Sequence, residues 1–258
     1  MQLSQAQKEH LYEQGYVAIR GVVPPLMVEV ALRTINASLG EGIDPAQVPS
    51  YRSRSFCPEL QGHPALVDLM MGTPAWRLAE SLLGEGNLRP ISGAQIALRF
   101  PSLQEPAPPR CHLDGMYSPL NGVPQGTYSN FTMLAVVLLS DLPGPYAGNF
   151  TVWPGTHRQF EAWFREHGPD SLLDGMPAID YPEPVQLTGR AGDLILTHYQ
   201  LAHGVAPNAS PHCRYAAIYR LHHVEHGSCR KEAMTDLWLE WPAIREAIPA
   251  AGQPAVGA

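Results

Sequence analysis

Five short apolar runs, set among turns rich in Pro or Gly, restrict the folds open to this chain more than any other feature. They are Gln95 to Phe100, Phe131 to Leu139, Asn149 to Trp153, Asp193 to Thr197 and Tyr215 to Leu221. Their length and bulk are those of strands, and strands this short, joined at Pro143-Gly144, Pro154-Gly155 and Gly189 to Gly192, assemble into a sandwich or a double-sheet barrel. The 26 Pro and 23 Gly fit such a loop-rich β architecture better than a helical bundle. No Ser/Gly-rich or charge-run linker divides the chain. Residues 1–258 are therefore expected to form a single domain, with a mostly helical support over 1–90, a β core over 91–222 and a C-terminal extension over 223–258.

Helical signals flank these strands. Ser4 is placed to cap a helix from Gln5 to Gln14 that Gly15 closes, and Tyr16 to Ile19 reads as a short strand. Pro24-Pro25 opens a second helix, whose apolar Leu26, Val30, Ala31 and Ile35 are expected to face a packing partner. A third helix is expected from Pro64 to Leu83, ending at Gly84, while Pro45 to Pro58 reads as a loop. Gln159 to Glu166 has helical character, and the span 159–184, rich in Asp and Pro towards its end, reads as a lid or as an ordinary surface excursion.

A net charge of −7 with no basic run argues against a nucleic-acid partner. The longest uninterrupted apolar run, Met133 to Leu139, has seven residues. That is far short of the roughly 20 needed to cross a bilayer. The first ten residues lack the apolar stretch of a signal peptide, so a cytoplasmic protein with no membrane partner is expected. Cys57, Cys111, Cys213 and Cys229 contain no C-x-x-C pairing, which speaks against a zinc ribbon and for four free thiols.

The chemistry lies in His112-Leu113-Asp114. On extended backbone, residues two apart leave the same face, so the imidazole and the carboxylate can converge on one metal ion. A third ligand is available in His203, after the run beginning Gly-Asp-Leu-Ile-Leu. Two imidazoles and one carboxylate on one face make the facial triad of non-haem iron(II) sites, with three positions left open. A 2-oxoglutarate fills two of these through its 2-oxo and C1-carboxylate oxygens, and O2 takes the third. The far carboxylate then needs a cationic fork, and Arg214 stands eleven residues after His203 on the next expected strand. A non-catalytic or isomerase-type cupin-like metal-binding protein would keep the ligands without needing Arg214. A zinc hydrolase is disfavoured because no H-E-x-x-H is present.

On these residues the chain resembles the phytanoyl-CoA dioxygenase (PhyH-like) family of Fe(II)/2-oxoglutarate-dependent oxygenases. The stretch from Gln7 to Val23 is similar to the family's N-terminal helix and strand, and Phe150 to His157 resembles its Pro-Gly-Ser-His turn. His198 to Arg214 matches the distal segment, so the likeness covers about residues 1–222. It implies a mainly β fold with flanking α-helices around a double-stranded β-helix, the cupin-like jelly roll. It also implies His112, Asp114 and His203 as catalytic iron ligands, Arg214 as the oxoglutarate anchor, and Gln95 as a further residue of the cosubstrate site. Where the family commonly has Ser two residues after the distal His, this chain has Val205, and Thr132 or Asn130 is the candidate for the missing polar group. Because Asp114 is retained where halogenating relatives carry Gly or Ala, the expected reaction is hydroxylation of a C–H bond, with release of succinate and CO2.

Arg99, Arg110 and, in the early loop, Arg52 and Arg54 suggest a small, anionic metabolite as substrate, against the alternative of solvated surface arginines. Tyr117 and Trp153 read either as walls of the substrate pocket or as core. His198 is expected to pack or hydrogen-bond near the site and His157 to be structural. His222, His223, Glu225 and His226 read as a solvated end of the last strand in preference to a second metal cluster. Both a monomer and a homodimer are compatible with these features.

Overall fold

The computed structural model describes residues 1–248, so the last ten residues of the expected C-terminal extension lie outside it. Helix α1 (Gln5–Gln14) starts in a capping box: Ser4 Oγ accepts from the Gln7 N–H at 3.2 Å and Gln7 Oε1 from the Ser4 N–H at 2.9 Å. Gly15, left-handed at φ 83°, ends it and releases the chain into β1 (Tyr16–Ile19). In α2 (Pro25–Leu39) the buried residues are Val28, Ala31 and Ile35, whereas Leu26 and Val30 are exposed. The expected packing face was therefore wrong in part, because positions 28, 31 and 35 share a stripe from which 26 and 30 point away.

Two further helical expectations are corrected. The segment read as a loop contains α3 (Val48–Ser53), entered through a three-residue 3-10 turn that Asp44 caps by accepting from the Ala46 N–H. The single helix expected over Pro64 to Leu83 is two, α4 (Pro64–Met71) and α5 (Pro74–Leu83). Between them Thr73 Oγ1 donates to Leu69 O, closing one helix, and accepts from the Ala75 N–H, opening the next. Pro74 has no N–H with which to continue the first.

The β part comprises β2 (Gln95–Arg99), β3 (Met133–Leu138), β4 (Phe150–Val152), β5 (Val185–Gln186), β6 (Leu194–His198), β7 (His203–Val205) and β8 (Arg214–Leu221). Helix α6 (Thr156–His167) follows β4, and the short α7 (His226–Cys229), α8 (Glu232–Thr235) and α9 (Pro242–Ala247) follow β8. One sheet has five strands in the order β1-β6-β3-β8-β2 and the other has three in the order β5-β4-β7, with every pairing antiparallel. This is the jelly-roll arrangement with flanking helices, open and not closed into a barrel. No helix among the described residues is long and apolar enough to cross a membrane.

The period-two alternation of strands sorts the five-stranded sheet into two faces. On one face Met133, Ala135 and Val137 of β3, with Ala217, Tyr219 and Leu221 of β8, pack against the helices, including Leu11, Ile35, Leu78 and Trp241. On the other, Leu134, Val136 and Leu138 join Ile195 and Ala216 opposite Phe150 and Val152 of the small sheet, with Phe160 and Phe164 of α6 completing that core. The small sheet is thereby held at a fixed distance from the large one. The space between their open ends is left for the site.

The C-terminal segment corrects another expectation. His223 and His226 are buried, not solvated, because the polypeptide returns over them: buried Glu240 accepts from His226 Nδ1 at 3.0 Å. Trp241 and Ile244 anchor that return in the helical core. His198 Nε2 meets Leu237 O at 2.9 Å and His157 Nε2 meets Tyr12 O at 3.0 Å, so both rings have structural roles.

Candidate metal centre and its cavity

His112 is bonded directly across from His203 by an isolated antiparallel bridge, with N–H to O distances of 2.8 Å and 3.1 Å in the two directions. The expected strand around His112 is reduced to this single bridge, yet it suffices, since directly opposed residues send their side chains to one face. Gly204 permits the close approach, because a Cβ there would meet Arg110 O at 2.1 Å. Gly115, at φ 83°, turns the chain immediately after Asp114, where a Cβ would lie 1.9 Å from Ser129 O. The carboxylate is thus folded back towards both rings.

His112 Nε2 lies 3.1 Å and His203 Nε2 3.7 Å from the same oxygen, Asp114 Oδ1. Among the described residues these three form the one group of at least three His, Cys, Asp or Glu whose ligand atoms all lie within 4.8 Å of one another. His203 Nδ1 donates to Leu201 O at 2.9 Å, which fixes the tautomer and leaves the Nε2 lone pair facing the carboxylate. The donor set, two nitrogens and one oxygen converging from a single side, fits a divalent transition-metal ion with open positions opposite. His203 and Asp114 are buried, while the His112 side chain is 53% exposed at the mouth.

The other carboxylate oxygen, Oδ2, is held by a residue that the sequence reading did not single out. Arg220 donates to it from Nε at 2.9 Å, with Nη2 in ion-pair contact at 2.7 Å, and donates from Nη1 to Gln95 Oε1 at 2.9 Å. Burial alone would push the Asp114 carboxyl up; the Arg220 guanidinium, then the two rings, hold it well below the usual carboxylate range. Arg220 stands six residues after Arg214 on β8, so both leave the same face. That even spacing was the available signal.

A cavity of about 480 Å³ opens in front of the three ligands. From the large sheet come Gln95, Ala97 and Arg99 of β2 with Arg214, Ile218 and Arg220 of β8, and from the small sheet Phe150, His203 and Val205. Arg214 is buried, with Nε donating to Gly148 O at 2.7 Å and Nη1 to Ala97 O at 2.9 Å. These bonds fix the guanidinium and leave Nη2 without a protein acceptor among the described residues. Burial, then the neighbouring Arg99 charge, pulls the Arg214 pKa down to about 9, which leaves it a cation at neutral pH.

Among the other expected site residues, Gln95, Arg99 and Tyr117 line the cavity, Tyr117 at its exposed rim. Three do not. Thr132 Oγ1 donates to Glu240 Oε2 and accepts from the His223 N–H, behind the site. Trp153 is buried in the core between the sheets, and Arg110 is exposed to solvent. Asn130 donates to Arg230 O, so neither it nor Thr132 replaces the hydroxyl absent at Val205. Of the span 159–184 only Met176 reaches the cavity, where its Sδ accepts from the Leu113 N–H at 3.1 Å, while α6 is pinned by Phe160 and Phe164.

No family model matches the sequence, and no curated protein matches it. Solved structures do. The non-heme alpha-ketoglutarate-dependent carbocyclase SnoK from nogalamycin biosynthesis is similar at a TM-score of 0.54 and 21% identity, over 88% of this chain and 90% of that one. EctD from S. alaskensis, solved with 2-oxoglutarate and 5-hydroxyectoine, gives 0.56 and 18% over 86% and 77%. HygX from Streptomyces hygroscopicus, solved with nickel and 2-oxoglutarate, gives 0.55 and 18% over 86% and 88%. Likeness at this level of identity establishes the fold that the chain shares with these oxoglutarate-dependent enzymes.

Proposed function

We propose that the chain is an Fe(II)- and 2-oxoglutarate-dependent dioxygenase that hydroxylates a C–H bond of a small metabolite and releases succinate and CO2. The observation that carries this reading is a pairing within one cavity: a two-His, one-Asp ligand set, and a buried guanidinium oriented by two backbone carbonyls with no carboxylate partner among the described residues. His112 Nε2, Asp114 Oδ1 and His203 Nε2 would hold the iron, and Arg214 would take the far carboxylate of oxoglutarate. When bound, the iron supplies the redox chemistry that couples decarboxylation of oxoglutarate by O2 to oxidation of the substrate.

The chain's own residues do the rest. Arg220 holds Oδ2 of Asp114, so that Oδ1 alone is presented to the metal. Leu134, Phe150 and Ile218 give the cavity an apolar wall, which would shield a bound oxoglutarate from water. The resemblance to the PhyH-like family supports the same roles for the same four residues, and the retained Asp114 favours hydroxylation over halogenation. The cupin-like alternative gives no account of Arg214, whose burial is unfavourable without an anion to meet it.

The test is anaerobic titration of the purified protein with Fe(II) and oxoglutarate, following the metal-to-ligand absorption band of the chelate. The band is expected with the native chain and at roughly 100-fold higher oxoglutarate with Arg214→Met, the scale of a bidentate charged contact. Absence of the band, together with no succinate formed above background across a panel of small metabolites, refutes the assignment.

A further inference from the structure

We propose that Arg52 and Arg99 form a second anion site in the same cavity, which receives an acidic group, carboxylate or phosphate, of the organic substrate. The inference rests on the reading above only in giving Arg214 to oxoglutarate. Four arginines line the cavity, Arg52, Arg99, Arg214 and Arg220, against one carboxylate, that of Asp114. Arg220 is ion-paired with Asp114, whereas no salt bridge to Arg52, Arg99 or Arg214 is formed among the described residues. A divalent metal ion and a dianionic cosubstrate cancel in charge, so the surplus of guanidinium over carboxylate is still there once both are bound. In a protein with a net charge of −7 this concentration of positive charge is local to the cavity.

The sheet register gives this surplus its shape. Arg99 on β2 lies directly opposite Arg214 on β8, a like-charged pair of neighbours that destabilises an empty sheet. The two guanidinia resolve the conflict by diverging. Arg214 is drawn inwards by its bonds to Gly148 O and Ala97 O, while Arg99 folds back along its own strand to donate from Nη1 to Leu98 O at 3.1 Å. Arg52, on α3, lines the same cavity and repels Arg99; burial first and this repulsion second pull Arg99 down to about 10. Two cations lining the cavity, one half-buried and one exposed and neither paired with a carboxylate among the described residues, make a forked site for an anion entering beside the metal. Separate guanidinia for cosubstrate and substrate imply a substrate that reaches from its acidic group at Arg52 and Arg99 to the open side of the three ligands.

The test uses the protein loaded with Mn(II) and saturating oxoglutarate, with inorganic phosphate and trifluoroacetate as separate probes of the two anion types. Mn(II) accelerates the 31P or 19F relaxation of a probe held near it, so site occupancy is read without turnover. Oxoglutarate binding is measured in the same samples by calorimetry. The expected result is relaxation enhancement by at least one probe, its apparent affinity falling about tenfold or more in Arg52→Gln and in Arg99→Gln, the scale of one lost charged hydrogen bond. Oxoglutarate affinity is expected to stay within about threefold in Arg52→Gln. Should Arg99→Gln fail to fold, Arg52→Glu takes its place with a larger loss expected, since Arg52 is exposed. Enhancement that survives these variants would mean that the probe sits on the metal itself, and it overturns the proposal, as does the absence of enhancement with either probe. If the probes bind with the expected dependence on Arg52 and oxoglutarate does not bind, the anion site stands and the oxygenase assignment falls.

Discussion

The contact between Arg220 and Asp114 yields a prediction with opposite signs in the metal-free and metal-loaded protein. In the variant Arg220→Met the guanidinium, whose Cζ lies 5.9 Å from the centre of the Phe131 ring, is removed together with its Nε bond and Nη2 ion-pair contact to Asp114 Oδ2 and its bond to Gln95, while an apolar stem of similar length remains. A hydrogen bond to a charged group is worth about 1.5–3 kcal/mol, and the Nη2 contact falls on the same oxygen. The Arg220 side chain is also 38% exposed, so solvent screens part of the interaction. We therefore expect about 2 kcal/mol of lost stability without metal, or about 4–8 °C in Tm for a chain of this size. With a divalent ion bound, the ion supplies the counter-charge that Asp114 has lost, and its own repulsion from Arg220 disappears. The metal-induced rise in Tm must then be larger in the variant than in the native chain, corresponding to metal binding about tenfold tighter, or about 1.4 kcal/mol, the scale of a partly screened repulsion between two nearby cations. Thermal unfolding with EDTA, and then with excess Mn(II) or Zn(II), measures both quantities. An equal or smaller metal-induced rise in Arg220→Met would show that Arg220 positions Asp114 more than it neutralises it, and the electrostatic reasoning would be wrong.

Other expectations follow from individual contacts. Thr132→Val leaves the His223 N–H without its acceptor and takes from buried Glu240 Oε2 one of its two hydrogen bonds, the other being from His226 Nδ1, which should lower stability by about 1–3 kcal/mol while oxoglutarate affinity in calorimetry stays unchanged. Gly204→Ala places a Cβ 2.1 Å from Arg110 O and should force the bridge between His112 and His203 apart; metal titration is expected to show affinity reduced at least tenfold. Burial pulls His198 to about 4 and, with a further push from His198, pulls His157 to about 3. In the unfolded chain both rings titrate near 6.5, so the stability held by their neutral forms is fully present above that pH and is lost as pH falls below it. At pH 5 each ring accounts for about 2 kcal/mol of that loss. Unfolding free energies from urea titrations at pH 7 and pH 5 should therefore differ less in His198→Gln than in the native chain, by about 2 kcal/mol.

How much of the site could be read from the chain depended on whether chemistry or register assembled it. The triad was legible because metal coordination prescribes residue types and the H-x-D spacing prescribes a shared face, even though only one bridge remains of the expected strand. Where packing alone decided, composition misled. Leu26 and Val30 are as apolar as Val28, and only the angular positions around α2 separate the exposed from the buried. Arg110, two residues before His112, would share its face on a strand, but the chain from 101 to 111 is not in a strand and the side chain turns to solvent. The histidines after β8 read as a solvated end since nothing local discloses that Glu240 folds back over His226.

Register carries further than any of these, and Arg99 is its clearest case. Neither its neighbours on β2 nor any motif marks it as more than one arginine among several. Antiparallel pairing with β8 places it opposite Arg214, and the period of two on β8 then puts Arg220 on the same face. Three guanidinia reach one cavity wall because two strands far apart in sequence are in this register and no other. A slip of one residue would send all of β8's inward side chains to the helical core, where Ala217 and Tyr219 now pack. Burying Arg214 and Arg220 there would leave two charges without partners, at several kcal/mol each. The arginines that set the cavity's chemistry thus also discriminate against the wrong strand pairing.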